Sequence, residues 1–290
     1  MIYKKIIFKC RVIYVDKLKR NERIAGIMYI LTTNPNKVFT YGYFSELFKV
    51  KKPSISGDIS IMKELVEKLD IGYIETIPGA NGGVRFSPNM RKKDVENLLL
   101  ELCDELSKGE RLIPGGFIYM MDILYTPRII RNIGKIFANE FAKNDIDYVV
   151  TIETKGIPIA LMTAEILNVP LIIIRKNMKI TEGPAVNINY LSGSTKTIQT
   201  MSLSKRAIKE GSRVLIIDDF MRAGGTVKGM KEMMREFNAE VVGVGIFIST
   251  KNPEKKLVED YVSLIRLEKI DEEKNETILI PNFKQLKQFR

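Results

Sequence analysis

The stretch Val214-Leu215-Ile216-Ile217-Asp218-Asp219-Phe220-Met221-Arg222-Ala223-Gly224-Gly225-Thr226 constrains this chain more than any other. Four apolar residues make a buried parallel strand with two acids at its carboxyl end. A turn of small residues follows, and from Thr226 the apolar positions Val227, Met230, Met234 and Phe237 mark a helix. Free backbone N–H groups at a helix start attract anions, and glycines let a phosphate approach the backbone. Carboxylates repel phosphate, so the two acids need another partner. The 2- and 3-hydroxyls of a ribose supply it by donating hydrogen bonds to them. The stretch therefore reads as a seat for a ribose and its 5-phosphate.

This string resembles the phosphoribosyl-diphosphate (PRPP) signature of the type I phosphoribosyltransferases: a hydrophobic strand, two acids, and a turn ending in Gly-Gly-Thr. It departs from that signature at one place. Many of those enzymes carry Thr, Ala or Asn where this chain has Arg222 and Ala223, so Arg222 adds a cation and position 223 lacks a polar phosphate donor.

At 290 residues the chain has room for two domains. Its 45% hydrophobic content is that of a globular protein. No apolar run reaches the ~18 residues of a membrane span, and Lys9 and Arg11 interrupt the early segment Ile6-Ile7-Phe8, which argues against a signal peptide. A cytoplasmic protein without membrane contact is expected. Cys10 and Cys103 fit no metal or disulfide pattern and read as reduced thiols. The absence of histidine removes Ser-His and Cys-His nucleophilic schemes and the usual zinc sites.

The net charge of +11 is unevenly spread. Residues 1–93 hold 18 Lys and Arg against 8 Asp and Glu, whereas residues 94–290 hold 28 against 27. Such an asymmetry points to a polyanion partner for the first third. Its apolar pattern gives that partner a shape. Ile24, Ile27, Met28 and Leu31 form one helix face, and Thr40 caps a second helix over Tyr41 to Phe48. After Val50-Lys51-Lys52, Pro53 opens a third helix with a seam of Ile55, Ile59, Met62, Val66 and Leu69. Two short strands, Tyr73 to Ile77 and Val84 to Ser87, are joined by a glycine-rich turn. Three helices and a hairpin make a winged helix, in which the third helix enters the major groove and the wing follows phosphates. Lys49, Lys51, Lys52, Ser54, Ser56 and Arg85 are then the candidates to touch double-stranded operator DNA.

A further helix, Asp94 to Lys108, reads as a connector whose stripe of Val95, Leu98, Leu99, Leu102, Cys103 and Leu106 packs on the larger domain or a partner subunit. Beyond it, residues 148–267 alternate apolar strands and amphipathic helices, the pattern of a parallel α/β sheet. Thr154-Lys155-Gly156 follows the strand Tyr148 to Ile152, again at a carboxyl end, where ligands of open α/β sheets gather. It resembles the pyrophosphate loop of the same enzymes. Lys176 opens a polar segment reaching Arg206, within which Tyr190 to Thr197 has hairpin character and includes Ser192, Gly193 and Ser194. That segment lies where phosphoribosyltransferases carry the flexible loop that closes over PRPP.

With both parts read, the chain from about Asn21 onward resembles the purine operon repressors of Gram-positive bacteria. Matching strings include Ile113-Pro114-Gly115-Gly116-Phe117-Ile118-Tyr119, Thr154-Lys155-Gly156-Ile157-Pro158, Ile198-Gln199-Thr200-Met201-Ser202-Leu203 and the signature at 214–226. The resemblance implies an α/β chain: an N-terminal winged helix plus a type I phosphoribosyltransferase-like parallel sheet domain. The expected divisions are an extension over 1–19, the winged helix over 20–93, the connecting helix over 94–110 and the PRPP-binding domain over 111–290. It further implies a homodimeric repressor of purine genes, released from DNA by PRPP and without transferase activity. Tyr119 joins the ligand set through the resemblance, beside Thr154, Lys155, Gly156, Lys176, Ser192, Gly193, Ser194, Asp218, Asp219, Arg222, Ala223, Gly224, Gly225 and Thr226. Magnesium is expected as a companion of the pyrophosphate, with no all-protein metal site.

Two departures stand out. Gly57 lies inside the proposed recognition helix, where glycine costs roughly 1 kcal/mol relative to a good helix former. The first twenty residues have no counterpart in the family pattern and read as an added arm or an incorrectly placed translation start. An active purine phosphoribosyltransferase with an accessory basic domain is the competing reading, because fold does not fix function. An RNA-binding regulator is weaker, since no aromatic stacking sheet is evident.

Overall fold

The computed structural model describes residues 18–79, 82–176, 183–191 and 197–289. The expected extension up to residue 17 and Ser192, Gly193 and Ser194 lie outside the described residues. The chain divides into two compact units, one ending at Pro88 and the other running from Asn89 to Arg290.

The first unit contains α1 (Arg20–Thr33), α2 (Tyr41–Phe48), α3 (Lys52–Leu69) and the antiparallel strands β1 (Gly72–Ile77) and β2 (Gly83–Pro88). Thr40 caps α2, its hydroxyl accepting the Tyr43 N–H at 3.0 Å. Ile27, Leu31, Phe44, Phe48, Ile55, Ile59, Met62 and Val66 meet Ile74, Val84 and Phe86 in one core. Leu69, expected in the α3 seam, is instead 51% exposed, because the helix ends there with Asp70 in the left-handed conformation. Gly83 has no room for a side chain: a β-carbon would stand 2.2 Å from the Phe39 carbonyl oxygen. That approach lets Phe39 bridge to Val84 and ties the start of α2 to the wing.

Asp58 on α3 is fully buried, and Arg23 from α1 meets it at 2.5 Å, with Arg20 at 3.1 Å on the exposed side. A buried charge is tolerated when paired and hydrogen-bonded. The pair fixes how α1 lies on α3. Gly57 is adjacent, and a β-carbon there would make only an ordinary 3.6 Å contact with Arg20 Nη2.

In the second unit, α4 (Lys92–Leu106) packs on the larger domain, one of the two surfaces expected for its stripe. Its stripe of Val95, Leu99, Leu102, Cys103 and Leu106 enters the same core as Leu124, Ile133, Phe137 and Leu279. The division therefore falls before α4, and residues 89–93 belong with the larger unit. Burial raises the Cys103 thiol to about 12, so it stays protonated at neutral pH.

After the short strands β3 (Leu112–Ile113) and β4 (Phe117–Ile118) come α5 (Met121–Leu124), α6 (Pro127–Glu140), β5 (Tyr148–Ile152), α7 (Ile157–Leu167) and β6 (Leu171–Ile174). The antiparallel hairpin β7 (Ala185–Leu191) and β8 (Ile198–Ser204) follows. The chain continues through β9 (Arg213–Met221), α8 (Gly225–Glu236), β10 (Glu240–Thr250), β11 (Val262–Asp271) and β12 (Glu276–Pro281). The main sheet has the order β12-β11-β10-β9-β5-β6, parallel except for the edge strand β12. Both faces of β9 are covered, so its apolar run alternates between two cores. Leu215 and Ile217 face α4, α6 and α7, whereas Val214 and Ile216 face α8 and the β7–β8 hairpin.

Candidate ligand site and nucleic-acid interface

From β5 the chain proceeds outward to β6, and from β9 it proceeds the other way to β10 and β11. Between β5 and β9 the strand order reverses, which opens a crevice at their carboxyl ends. The loops after both strands line one cavity of about 1040 Å³. Tyr119, Thr154, Lys155, Lys176, Asp218, Asp219, Arg222, Ala223, Gly224, Gly225 and Thr226 all line it. Gly156 does not; it lies behind the acids, where a β-carbon would stand 3.1 Å from Asp218 Oδ1 and 2.6 Å from Thr151 Oγ1. Its part is to let the β5 loop close on Asp218.

Asp218 is 5% exposed and accepts the Asp219 N–H at 3.0 Å. Burial, followed by the Asp219 charge, pushes its carboxyl well above the usual carboxylate range. Burial raises Asp219 too, opposed by its hydrogen bond with Asp218 and by the Lys155 and Lys176 charges. A buried carboxyl beside a partly buried one, with the exposed Lys155 and Lys176 also lining the cavity, fits a ligand that brings hydroxyl donors to the acids and phosphates to the lysines. Gly224, at φ 88°, is the N-cap of α8, and no side chain caps that helix. The first N–H groups of α8 thus remain available at a positive helix end. The reading of Thr226 as the first helical residue shifts by one, since Gly225 opens the helix.

Several contributors had no local signal in the sequence. Glu153 accepts the Lys176 N–H at 2.5 Å and pairs with Arg175, tying the β5 and β6 loops together. Tyr190 reaches the cavity because Gly229 lets β7 lie against α8: a β-carbon there would stand 2.9 Å from Tyr190 Cβ. The Tyr190 hydroxyl donates to Gln199 at 2.8 Å, and burial followed by the Asp218 charge pushes the phenol's pKa above its ordinary value. Arg111, paired with Glu105 and Asp122, donates to the Tyr119 carbonyl at 3.1 Å and so fixes the backbone at that residue. Lys256 donates to the Arg222 carbonyl at 2.6 Å. Only its place just beyond the carboxyl end of β10 could have suggested it. Among the described residues no cluster of three or more His, Cys, Asp or Glu could hold a metal ion.

In the first unit Lys51 is the N-cap of α3 and Lys52 its first residue, both exposed, with Ser54 and Ser56 exposed on the opening turns. Lys49, in the left-handed conformation at φ 53°, ends α2 and turns the chain toward α3. These five residues gather around one positive helix end, an arrangement suited to phosphate. Arg85 stands apart on the wing, where it pairs with Glu75 at 2.8 Å across the hairpin. No described helix is long and apolar enough to cross a membrane.

The family of bacterial purine repressor N-terminal domains matches residues 19–88, and the phosphoribosyl transferase domain family matches residues 120–278. The purine biosynthesis transcriptional repressor of Bacillus subtilis is 44% identical over 274 residues, covering 94% of this chain and 96% of that protein. The chain belongs to the bacterial purine repressor family. Family members differ in the direction of control: a relative in Lactococcus lactis, 41% identical over 88% of this chain and 94% of its own length, is a purine biosynthesis transcriptional activator. A xanthine phosphoribosyltransferase of the same species is 35% identical but covers 57% of this chain and 91% of that enzyme. The fold of the second unit is that of adenine phosphoribosyltransferase from Saccharomyces cerevisiae, at TM-score 0.51 and 20% identity, covering 58% of this chain and 98% of that one.

Proposed function

We propose that this member of the purine repressor family is a transcriptional repressor of purine biosynthesis genes that binds operator DNA through the winged helix and leaves it when PRPP fills the second unit. The observation that carries the ligand half is the adjacent Asp218–Asp219 pair, the first buried and the second partly buried, beside the uncapped start of α8. Hydroxyls of the ribose donate to the acids, the 5-phosphate sits on the turn 222–226, and Lys155 and Lys176 face the pyrophosphate. Magnesium enters with that pyrophosphate rather than on a site of its own. The DNA half rests on the basic start of α3 and on the charge excess of the first third. Repression rather than activation follows the Bacillus subtilis relative, which matches more of the chain than the activator does.

The protein acts as a homodimer without transferase activity. Regulators match across both units, whereas the transferase relative leaves the winged helix unaccounted for. The deciding experiment is a mobility-shift titration with and without PRPP on wild type and on the Asp218→Ala, Asp219→Ala double variant, beside a turnover assay with purine bases. The double variant is expected to bind DNA normally and to ignore PRPP. Turnover of PRPP with any purine base would return the protein to the enzymes. By linkage, DNA must weaken PRPP binding by the same factor that PRPP weakens DNA binding.

A further inference from the structure

Lys256 is partly buried on the segment that follows β10, and it is absent from the cavity lining although Arg222, Ala223 and Gly224 form part of it. Its Nζ donates to the Arg222 carbonyl at 2.6 Å and to Thr250 Oγ1 at 3.1 Å. The next residue, Leu257, donates its N–H to the Ala223 carbonyl at 2.8 Å. Two successive carbonyls of the turn are therefore held by residues outside the cavity lining, and the lining residue Thr250 also donates to the Arg222 carbonyl at 3.1 Å.

The consequence follows from peptide geometry. In a trans peptide the C=O and the N–H of the next residue point in opposite directions. Both peptides here are trans. Holding the Arg222 oxygen outward aims the Ala223 N–H inward, and holding the Ala223 oxygen aims the Gly224 N–H inward. This matters in a chain with alanine at 223, where that position offers no side-chain donor and its backbone amide carries the contact. Val258 supports the same grip, since a β-carbon on Gly224 would stand 3.1 Å from Val258 Cγ2.

We infer that Lys256 is a positioning residue for the phosphate-binding turn, holding the amides of Ala223 and Gly224 toward the ligand and lending the turn a cation that touches no ligand atom. The inference rests on the reading of 222–226 as the seat of the 5-phosphate of PRPP. A hydrogen bond to a charged donor polarises the peptide it binds, so the ammonium also strengthens the Ala223 N–H as a donor. Keeping a cation here is unfavourable in the empty site: burial and the Arg222 charge bring its pKa down to about 8. A bound phosphate removes that penalty by supplying the opposite charge.

The test uses the full-length protein and calorimetric titration with PRPP, ribose 5-phosphate and inorganic pyrophosphate. Lys256→Met is expected to weaken PRPP and ribose 5-phosphate about tenfold, as loss of charged hydrogen bonding would, while pyrophosphate binding changes less than about twofold. Lys256→Gln keeps a neutral donor and should fall between the two. The thermal midpoint without ligand establishes that each variant is folded. Unchanged ribose 5-phosphate binding in both variants overturns the inference, and so does an equal loss for all three ligands, which would mark a general collapse of the site. Wild-type protein that binds neither PRPP nor ribose 5-phosphate overturns the ligand reading itself, a result visible before any variant is made.

Discussion

Gly156 and Asp218 are held so close that a β-carbon on the glycine would stand 3.1 Å from Asp218 Oδ1, with Thr151 Oγ1 nearer still at 2.6 Å. Neither neighbour can retreat freely, because Thr151 is fully buried in β5 and Asp218 is anchored at the end of β9. Gly156→Ala should therefore push the β5 loop away from the acids. Overpacking of this kind costs about 1–3 kcal/mol. A lowered thermal midpoint together with at least a tenfold loss of PRPP affinity is expected. Unchanged calorimetric binding would mean that the two loops act independently.

Asp218→Asn should stabilise the empty protein while harming its ligand binding. The native carboxyl holds its proton at pH values where the unfolded chain has lost it, so the contribution of this group to stability falls as pH rises through that window. Replacing it with a neutral amide removes the penalty, a gain on the order of 1 kcal/mol at neutral pH. The gain should shrink as pH drops toward the ordinary carboxylate range. PRPP affinity of wild type should weaken on acidification for the same reason, because a protonated acid accepts less well from a ribose hydroxyl. Melting curves and titrations across pH check both signs.

Asp58→Ala should destabilise the first unit by about 3 kcal/mol, since it leaves the buried Arg23 without its partner. Gly57→Ala, one residue away, should do the opposite and add up to about 1 kcal/mol, because a helix prefers alanine and the new methyl group meets only an ordinary contact. Denaturant melts of the full chain distinguish the two. If Gly57→Ala stabilises the protein yet lowers operator affinity, the glycine is kept for close approach of DNA to α3.

DNA binding should fall steeply with salt, with a slope of about −0.9 per phosphate contact. Lys51→Ala and Lys52→Ala should each reduce that slope by about one and weaken specific and unrelated sequences alike, both side chains being exposed at the start of α3. Arg85→Ala should have a smaller effect, because its guanidinium already pairs with Glu75. Fluorescence anisotropy at several salt concentrations measures each slope. An unchanged slope in the double lysine variant would place the DNA elsewhere.

The sequence by itself determined the elements whose signals are local. The period of Ile55, Ile59, Met62 and Val66 identifies α3, and Thr40 before Tyr41 sets the start of α2. The run from Val214 to Thr226 carries strand, acids, turn and helix start within thirteen neighbouring positions, so the ribose-phosphate reading needed no distant contact. Tertiary structure decided whatever depends on residues far apart in the chain. It gave the α4 stripe the larger core as its cover, a choice open in the sequence because an apolar stripe does not state which surface will cover it. It set Gly156 hard against Thr151 and Asp218, and it paired Arg23 with Asp58 across 35 positions. It also brought Lys256 behind Arg222, 34 positions away. A lone lysine after a strand has no period, cap or motif; its role exists only once parallel pairing of β9 with β10 sets their carboxyl ends side by side.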